Sequence, residues 1–369
     1  MIRTSVRRAL IPGIAAATIF ALSACGAANE DTKNDNAADN GPESSGLSGV
    51  LKGAGATSQE KAQEAWTIAV QGSNDGLEIQ YNPIGSTDGR AQFTDGAVAF
   101  AGTDSAMTDE EGQLSDATKT CGSEPIQIPA YVSPIAVAFN LPDVDSVNMS
   151  ADTIAKIFDG KITKWNDPAI VAENDGADLP DLKITPVHRS DDSGTTKNFT
   201  DYLGKASESW SYEADDAFPV GGEAAEGTSG VIQQITNIEG AIGYADNSQV
   251  EGLGRVSVKV GDEYVAPSAE GAAKVLEVSP GVEGASDVDM AVELDRTTTE
   301  AGAYPVVLLS YLLACQSYDD EETQANVKGY LEYIVSTEGQ ERAAEEAGSA
   351  PLAEATAKKA QEIVASIGG

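Results

Sequence analysis

The sequence is poor in bases and in histidine. Lysine and arginine total 23 against 59 aspartates and glutamates, and His188 is the single histidine, so the net charge is −36 over 369 residues. Such a surface repels nucleic acid and anionic membranes, and no nucleic-acid motif is present. Any anion site must therefore work through local donors, because the global field opposes it. Beyond the N-terminal segment there is no apolar run of about 18 residues; the longest patch, Tyr304–Cys315, is too short to span a bilayer. Three cysteines and one histidine form no cluster with metal-ligand spacing, so neither a metal nor a cofactor is expected. The G-x-S-x-G elbow is missing, no G-K-[ST] follows any glycine turn, and no fixed-period repeat is visible. What remains is globular, 41% hydrophobic and 22% charged, with a length that suggests two domains.

The N-terminus reads as a targeting segment. Met1–Arg8 is basic, Ala9–Leu22 is mostly apolar, and Ser23 and Ala24 are small residues of the kind that precede cleavage. Leu22–Cys25, L-S-A-C, resembles a bacterial lipobox, which makes Cys25 the expected lipidation site. Residues 1–24 are then the signal peptide. Residues 25–46 are the lipidated cysteine and a tether without apolar period, expected to be disordered. A chain of that length averages roughly 25 Å end to end, enough to hold a domain off a membrane surface. The other two cysteines, Cys121 and Cys315, are expected to pair as a disulfide in an exported chain, the alternative being two buried thiols.

The stretch richest in chemistry is Val187–Thr195, V-H-R-S-D-D-S-G-T. It leaves a short apolar strand, Lys183–Val187, and enters a helix whose Phe199, Tyr202 and Leu203 share a face. Ser193 or Thr195 is placed to cap that helix, and Gly194 lets backbone approach a ligand. A helix start presents unpaired N–H groups and a partial positive charge, and Arg189 adds a planar five-donor fork. This is an oxyanion seat.

Other helix starts have the same character. G-A-G-A-T at Gly53–Thr57 ends a short strand and feeds a helix from Ser58 to Gln71, with Thr57 and Ser58 at its mouth. Pro83–Arg90 leads to another start after Ser86. Ala97–Ala101 reads as a strand ending in Gly102-Thr103-Asp104, which puts Asp104 just past a strand end, where ligands gather in open α/β sheets. On pattern alone Asp104 is equally a cap or turn acid. Ile126–Asn140 reads as a strand crossing between domains. Gly227–Gly230 opens a helix, Ala241–Tyr244 is a strand, and Val256–Val265 is a hairpin on Gly261-Asp262. From Thr297 the chain reads as apolar and helical, and Asn326–Gly348 as an amphipathic helix or pair. The alternation argues a largely parallel α/β architecture.

Taken in order, G-A-G-A-T, I-G-S at Ile84–Ser86, T-D at Thr103-Asp104, G-K-I-T-K-W-N-D at Gly160–Asp167, R-x-D-x-S-G-T at Arg189–Thr195 and G-A-I-G-Y at Gly240–Tyr244 form a set. That set resembles the phosphate-specific substrate-binding proteins of bacterial ABC transporters, closely over Leu51–Tyr244 and more loosely beyond. The resemblance implies an α/β protein of the type II periplasmic-binding architecture, two domains joined by crossover strands around a ligand cleft. Domain I would be 47–130 plus 299–369 and domain II 131–298, which puts Cys121 and Cys315 in one domain. It implies inorganic phosphate as ligand, held by Thr57, Ser58, Ser86, Asp104, Arg189, Ser193, Gly194 and Thr195, with Asp191 steadying Arg189. It also implies a monomer that is not an enzyme, anchored by lipid to the outer face of the cell membrane and delivering phosphate to the permease subunits of an ABC transporter.

The departures from the family pattern are modest. Ser58 replaces a frequent aromatic, and Thr87, Asp88 and Asp192 stand where small residues or glycine are common. Asp88 and Asp192 would add negative charge near the mouth. Competing readings are a phosphate-ester hydrolase using His188 and Ser193, or a binder of another oxyanion such as sulfate.

Overall fold

The computed structural model describes residues 46–109 and 112–369. The signal peptide, Cys25 and nearly all of the tether lie outside the described residues. The chain enters β1 (Ser48–Gly55), makes a 3₁₀ turn at Thr57–Gln59, and runs through α1 (Glu60–Gly72), β2 (Gly76–Asn82), α2 (Ser86–Thr94), β3 (Phe100–Thr103) and α3 (Gln113–Cys121) into β4 (Ile126–Phe139). There follow β5 (Ser146–Met149), α4 (Ala151–Phe158), α5 (Pro168–Glu173), β6 (Thr185–Arg189), α6 (Gly194–Ala206), β7 (Glu223–Ala225), α7 (Gly227–Asn237), β8 (Ala241–Asp246) and the hairpin β9 (Gly254–Val260) and β10 (Glu263–Val265). The last elements are α8 (Ala269–Val278), β11 (Val307–Ala314), α9 (Glu321–Ile334), α10 (Thr337–Ala347) and α11 (Glu354–Ala365).

The strand that organises the fold is β4. All of its residues are buried. Its first part, Ile126–Pro134, pairs antiparallel with β11, and its second, Ile135–Phe139, pairs with β8 and β9. One strand thus runs through both halves of a sheet ordered β2-β1-β3-β11-β4-β8-β6-β7, with β9, β5 and β10 attached beside it. Pro134 sits where the pairing changes hands. A residue without an N–H costs least where a ladder ends.

Helices cover the sheet because their apolar residues recur on one face. In α1, Ala62, Ala65, Trp66 and Val70 are buried, and Trp66 Nε1 donates to Gly339 O at 2.8 Å. Phe158, Phe199 and Tyr244 form an aromatic cluster under α4 and α6, with Phe199 stacked on Tyr244 at 4.4 Å between centroids. Cys121, at the end of α3, and Cys315, just after β11, are joined as a disulfide with their Cα atoms 5.2 Å apart.

Two sequence expectations are corrected. The apolar run after Thr297 is not helical: Val307–Ala314 is β11, a strand buried along its whole length between β3 and β4. A strand covered on both faces has no alternation, so its leucine-rich run carries no period to separate it from a buried helix. Nor is the sheet largely parallel. Its flanks are (β1 with β2 and β3, β6 with β7 and β8, β5 with β9), but β11 and β4 run antiparallel to their neighbours at the centre. Boundaries also move by about two residues, the usual uncertainty at element ends. β3 is Phe100–Thr103 rather than Ala97–Ala101, and β6 is Thr185–Arg189 rather than Lys183–Val187. Both shifts carry the strand to the polar residue that matters, ending β6 on Arg189 and β3 immediately before Asp104.

Candidate functional site

Parallel strands deliver the sequence-predicted residues to one place. Thr57 and Ser58 follow β1, Asp104 follows β3, Arg189 ends β6, and Ser86 and Gly194 begin α2 and α6. All are buried; Asp104 and Arg189 are only 4% and 3% exposed.

Asp104 is the centre of this group. Its Oδ1 accepts from Ser58 Oγ at 2.7 Å and from Ser310 Oγ at 2.6 Å, while Oδ2 accepts from Thr195 Oγ1 at 3.3 Å. Its backbone N–H donates to Ser86 Oγ at 3.1 Å. Burial pushes the carboxyl above its ordinary range; the Ser310 and Ser58 hydroxyls, the Arg189 charge and Thr195 pull the other way. The Ser58 hydroxyl is thereby committed to Asp104, which leaves a role toward a ligand to its backbone N–H.

Arg189 is held from behind. Its Nε donates to Asp191 Oδ1 at 2.8 Å, and its Nη2 meets Asp191 Oδ2. Asp191 also accepts from the Gly227 amide at 3.0 Å. Burial alone would raise the Asp191 carboxyl, but the Arg189 hydrogen bond and charge outweigh it and hold it below the usual range. The guanidinium is thereby fixed in orientation as well as in charge. Tyr244, the last residue of G-A-I-G-Y, supports the same loop: its hydroxyl accepts from the Arg189 N–H at 3.4 Å and lies 2.8 Å from Thr196 Oγ1.

Of the two candidate caps for α6, Ser193 is the one used. Its Oγ accepts from the N–H groups of Thr195 and Thr196 at 3.2 and 3.4 Å. A hydroxyl that accepts in this way still has one proton to give. Gly194 is required by close approach. A Cβ there would lie 2.7 Å from Asp104 Cβ and 2.8 Å from Ser86 Oγ, so only glycine lets α6 begin against the end of β3. The two halves of the sheet therefore meet at this point. They meet again at Thr57 and Thr228, whose hydroxyl oxygens are 2.9 Å apart.

Several residues of the site escaped sequence reasoning. Thr228 had a visible signal, a hydroxyl in the glycine-opened start of α7. Ser310 had none, because it lies in the strand misread as helix. Asn198 Nδ2 donates to Asp104 O at 2.6 Å, and Arg296 Nη2 donates to Asn198 Oδ1 at 2.5 Å. Arg296 also bonds the carbonyls of Pro305 and Val307, joining three segments far apart in sequence. Asp88 and Asp192 are exposed and sit outside this buried group. His188 Nδ1 lies 2.8 Å from Arg189 O, and its ring stacks on Phe218.

The chain also matches known proteins over most of its length. Residues 30–338 match the family model of the PBP superfamily domain. The chain is 33% identical over 343 residues to phosphate-binding protein PstS2 of Mycobacterium bovis, covering 91% of this chain and 92% of that protein. It is 32% identical, with the same coverage, to phosphate-binding protein PstS 2 of Mycobacterium tuberculosis. A high-affinity periplasmic phosphate-binding protein solved with bound phosphate superposes with a TM-score of 0.69 at 19% identity, over 85% of this chain and 93% of that one, which shows a shared fold.

Proposed function

The chain belongs to the phosphate-binding-protein family of the PBP superfamily, and from that premise we propose that the buried group around Asp104 holds one inorganic phosphate ion for import by an ABC transporter. The observation that carries this is a single carboxylate buried among hydroxyls, helix-start amides and a fixed guanidinium, at the place where the two sheet halves touch.

The chemistry selects phosphate through its proton. Near neutral pH phosphate keeps at least one O–H, which can donate to Asp104 Oδ2. The other oxygens take protons from Thr57, Ser86 and Ser193, from the amides of Ser58 and Gly194, from Arg189, and from Thr195 once its hydroxyl turns from Asp104 Oδ2 to the ligand. Sulfate has no proton to give, so it would set a bare oxyanion against a buried carboxylate, at a cost of several kcal/mol. A site built to bond a substrate proton can reject the analogue lacking it by roughly 10⁴-fold or more. Helix-start amides are fixed dipoles and need little rearrangement to receive the charge.

In this reading, 47–130 with 299–369 and 131–298 act as two domains joined through β4, and the protein is a monomer. It works outside the cytoplasmic membrane, held by a lipid on Cys25 and docking on permease subunits. No helix among the described residues is long and apolar enough to cross a membrane. The contacts of His188, to a carbonyl and an aromatic ring, favour a carrier over a hydrolase. Incubation with a chromogenic phosphate ester checks that point, and turnover would count against a pure carrier.

The main test is calorimetric titration of wild type and Asp104→Asn with phosphate and with sulfate. The wild type should bind phosphate with a stoichiometry of one and strongly prefer it. The variant should lose most of that preference; an unchanged ratio would remove Asp104 from this role.

A further inference from the structure

Behind Asp104 the hydrogen bonds all run one way. The Tyr330 hydroxyl on α9 donates to Gln63 Oε1 at 2.8 Å, and Gln63 Nε2 donates to Gln59 Oε1 at 2.8 Å. Gln59 Nε2 donates to Ser310 Oγ at 2.5 Å, and the Ser310 hydroxyl donates to Asp104 Oδ1 at 2.6 Å. Chemistry fixes the direction. Gln59 Nε2 also reaches Tyr311 O at 3.1 Å, a carbonyl that can only accept, so the amide's nitrogen must be the end that faces β11. An amide nitrogen only donates. The Ser310 oxygen therefore receives that proton and turns its own toward Asp104. The whole chain is shielded from water, with Gln59, Ser310 and Tyr330 fully buried and Gln63 at 1% exposure. In so dry a setting successive hydrogen bonds polarise and strengthen one another.

We propose that the chain Tyr330–Gln63–Gln59–Ser310 is a positioning and specificity device: it reserves Asp104 Oδ1 for protein hydroxyls, leaving Oδ2 to meet the ligand, and meet it as an acceptor. This rests on the phosphate reading above and adds to it four residues that never touch the ligand. With Oδ1 taken by the Ser58 and Ser310 protons, a protonated Asp104 could carry its proton only on Oδ2. There it would donate to the ligand, the polarity that welcomes an unprotonated oxyanion. Burial favours that protonated form, and the Ser310 hydroxyl is the first of the donors opposing it.

The other groups facing Asp104 are accounted for. Arg189 lends positive charge from β6, and the Thr195 hydroxyl reaches Oδ2 from α6. The Tyr81 phenol on β2 is kept protonated, first by burial and then by the Asp104 charge itself. Arg296 reaches the Asp104 carbonyl only through the neutral Asn198 amide.

The test is calorimetry with phosphate and with sulfate, from mildly acid to mildly alkaline pH, on wild type, Ser310→Ala, Gln59→Leu and Ser310→Thr. Ser310→Ala should lower the phosphate-over-sulfate preference roughly tenfold, the scale of a lost hydrogen bond to a charged group. Removing a donor from a carboxylate raises the pH at which it takes up a proton. On acidification, phosphate affinity should therefore begin to fall at a higher pH than in wild type. Gln59→Leu should move both readouts the same way by less, and Ser310→Thr, which keeps the hydroxyl, should restore them. If Ser310→Ala and Gln59→Leu both keep the wild-type preference and pH profile, the chain has no such role, though phosphate binding stands. A wild type with no preference for phosphate would overturn both readings.

Discussion

Arg90 and Asp216 form an ion pair that joins the two halves of the sheet. Arg90 Nη2 on α2 lies 2.6 Å from Asp216 Oδ2, in the segment between α6 and β7, and Thr87 Oγ1 donates to the same oxygen at 2.9 Å. The pair is nearly enclosed, with side-chain exposures of 4% and 15%. Each end reaches the candidate site: Arg90 Nη1 donates to Thr103 Oγ1, beside Asp104, and Asp216 O accepts from the Ser193 N–H that precedes α6.

This pair should act as a latch across the proposed ligand cleft. Removing one partner of a buried pair leaves the other charge uncompensated, at a cost of roughly 3–5 kcal/mol when burial is complete. Asp216→Ala should weaken phosphate binding by about tenfold or more, mainly through faster release, since most affinity changes at one interface appear in the off-rate. The preference over sulfate should not change, because Asp104 is untouched. Stopped-flow tryptophan fluorescence measures the release rate; an unaltered rate would mean the pair does not hold the cleft shut.

The disulfide should matter for stability and not for binding. It joins the end of α3 to the residue after β11, both in the β1–β3 half of the sheet, and closes a loop with a sequence separation of 194. The chain-entropy model gives up to about 5 kcal/mol for so long a loop. At about 2 °C per kcal/mol for a chain of this size, Cys121→Ser with Cys315→Ser should lower Tm by roughly 10 °C. Phosphate affinity below the transition should be unchanged. A loss of affinity there would show that the bridge shapes the site.

Asp246 should make stability depend on pH in a defined direction. It is fully buried at the end of β8, where Tyr131 Oη donates to both of its oxygens at 3.1 and 3.0 Å and the Ser248 amide donates at 2.9 Å. Burial pushes its carboxyl up to about 6, against the Ser248, Ser133 and Tyr131 hydrogen bonds that lower it. In the unfolded chain an aspartate titrates near 3.9. The folded state thus holds the proton more tightly, so the contribution is complete below the unfolded value and is lost as pH rises through about 6. Across that window Asp246→Asn should gain on wild type by up to about 3 kcal/mol, at 1.36 kcal/mol per pKa unit. Urea unfolding of both proteins over the window measures the difference; a flat difference contradicts it.

Much of this was legible in the sequence because it depends on local turns. G-A-G-A-T, T-D and R-x-D-x-S-G-T mark strand ends feeding helix starts, and the structure brings their polar residues together. The long apolar stretch with Pro129 and Pro134 reads as one strand, and β4 is one strand. What stayed hidden depends on tertiary context. β11 is apolar on both faces and carries no period, so Ser310, the donor from it to Asp104, was lost with it. Arg296 bonds Asp201, Asn198 and two carbonyls, and no spacing rule links those positions. The antiparallel centre of the sheet was hidden for the same reason, since only knowing that β11 is a strand reveals the direction of its neighbours.

The measurement closest to the central claim is a crystal structure of the chain grown with phosphate and with sulfate present together. The account predicts one phosphate, enclosed, within hydrogen-bond distance of Thr57, Ser86, Ser193, Thr195 and Arg189, with Asp104 Oδ2 as its carboxylate acceptor. Sulfate in that position, or phosphate bound only on the outer surface with Asp104 and Arg189 turned from it, would contradict it.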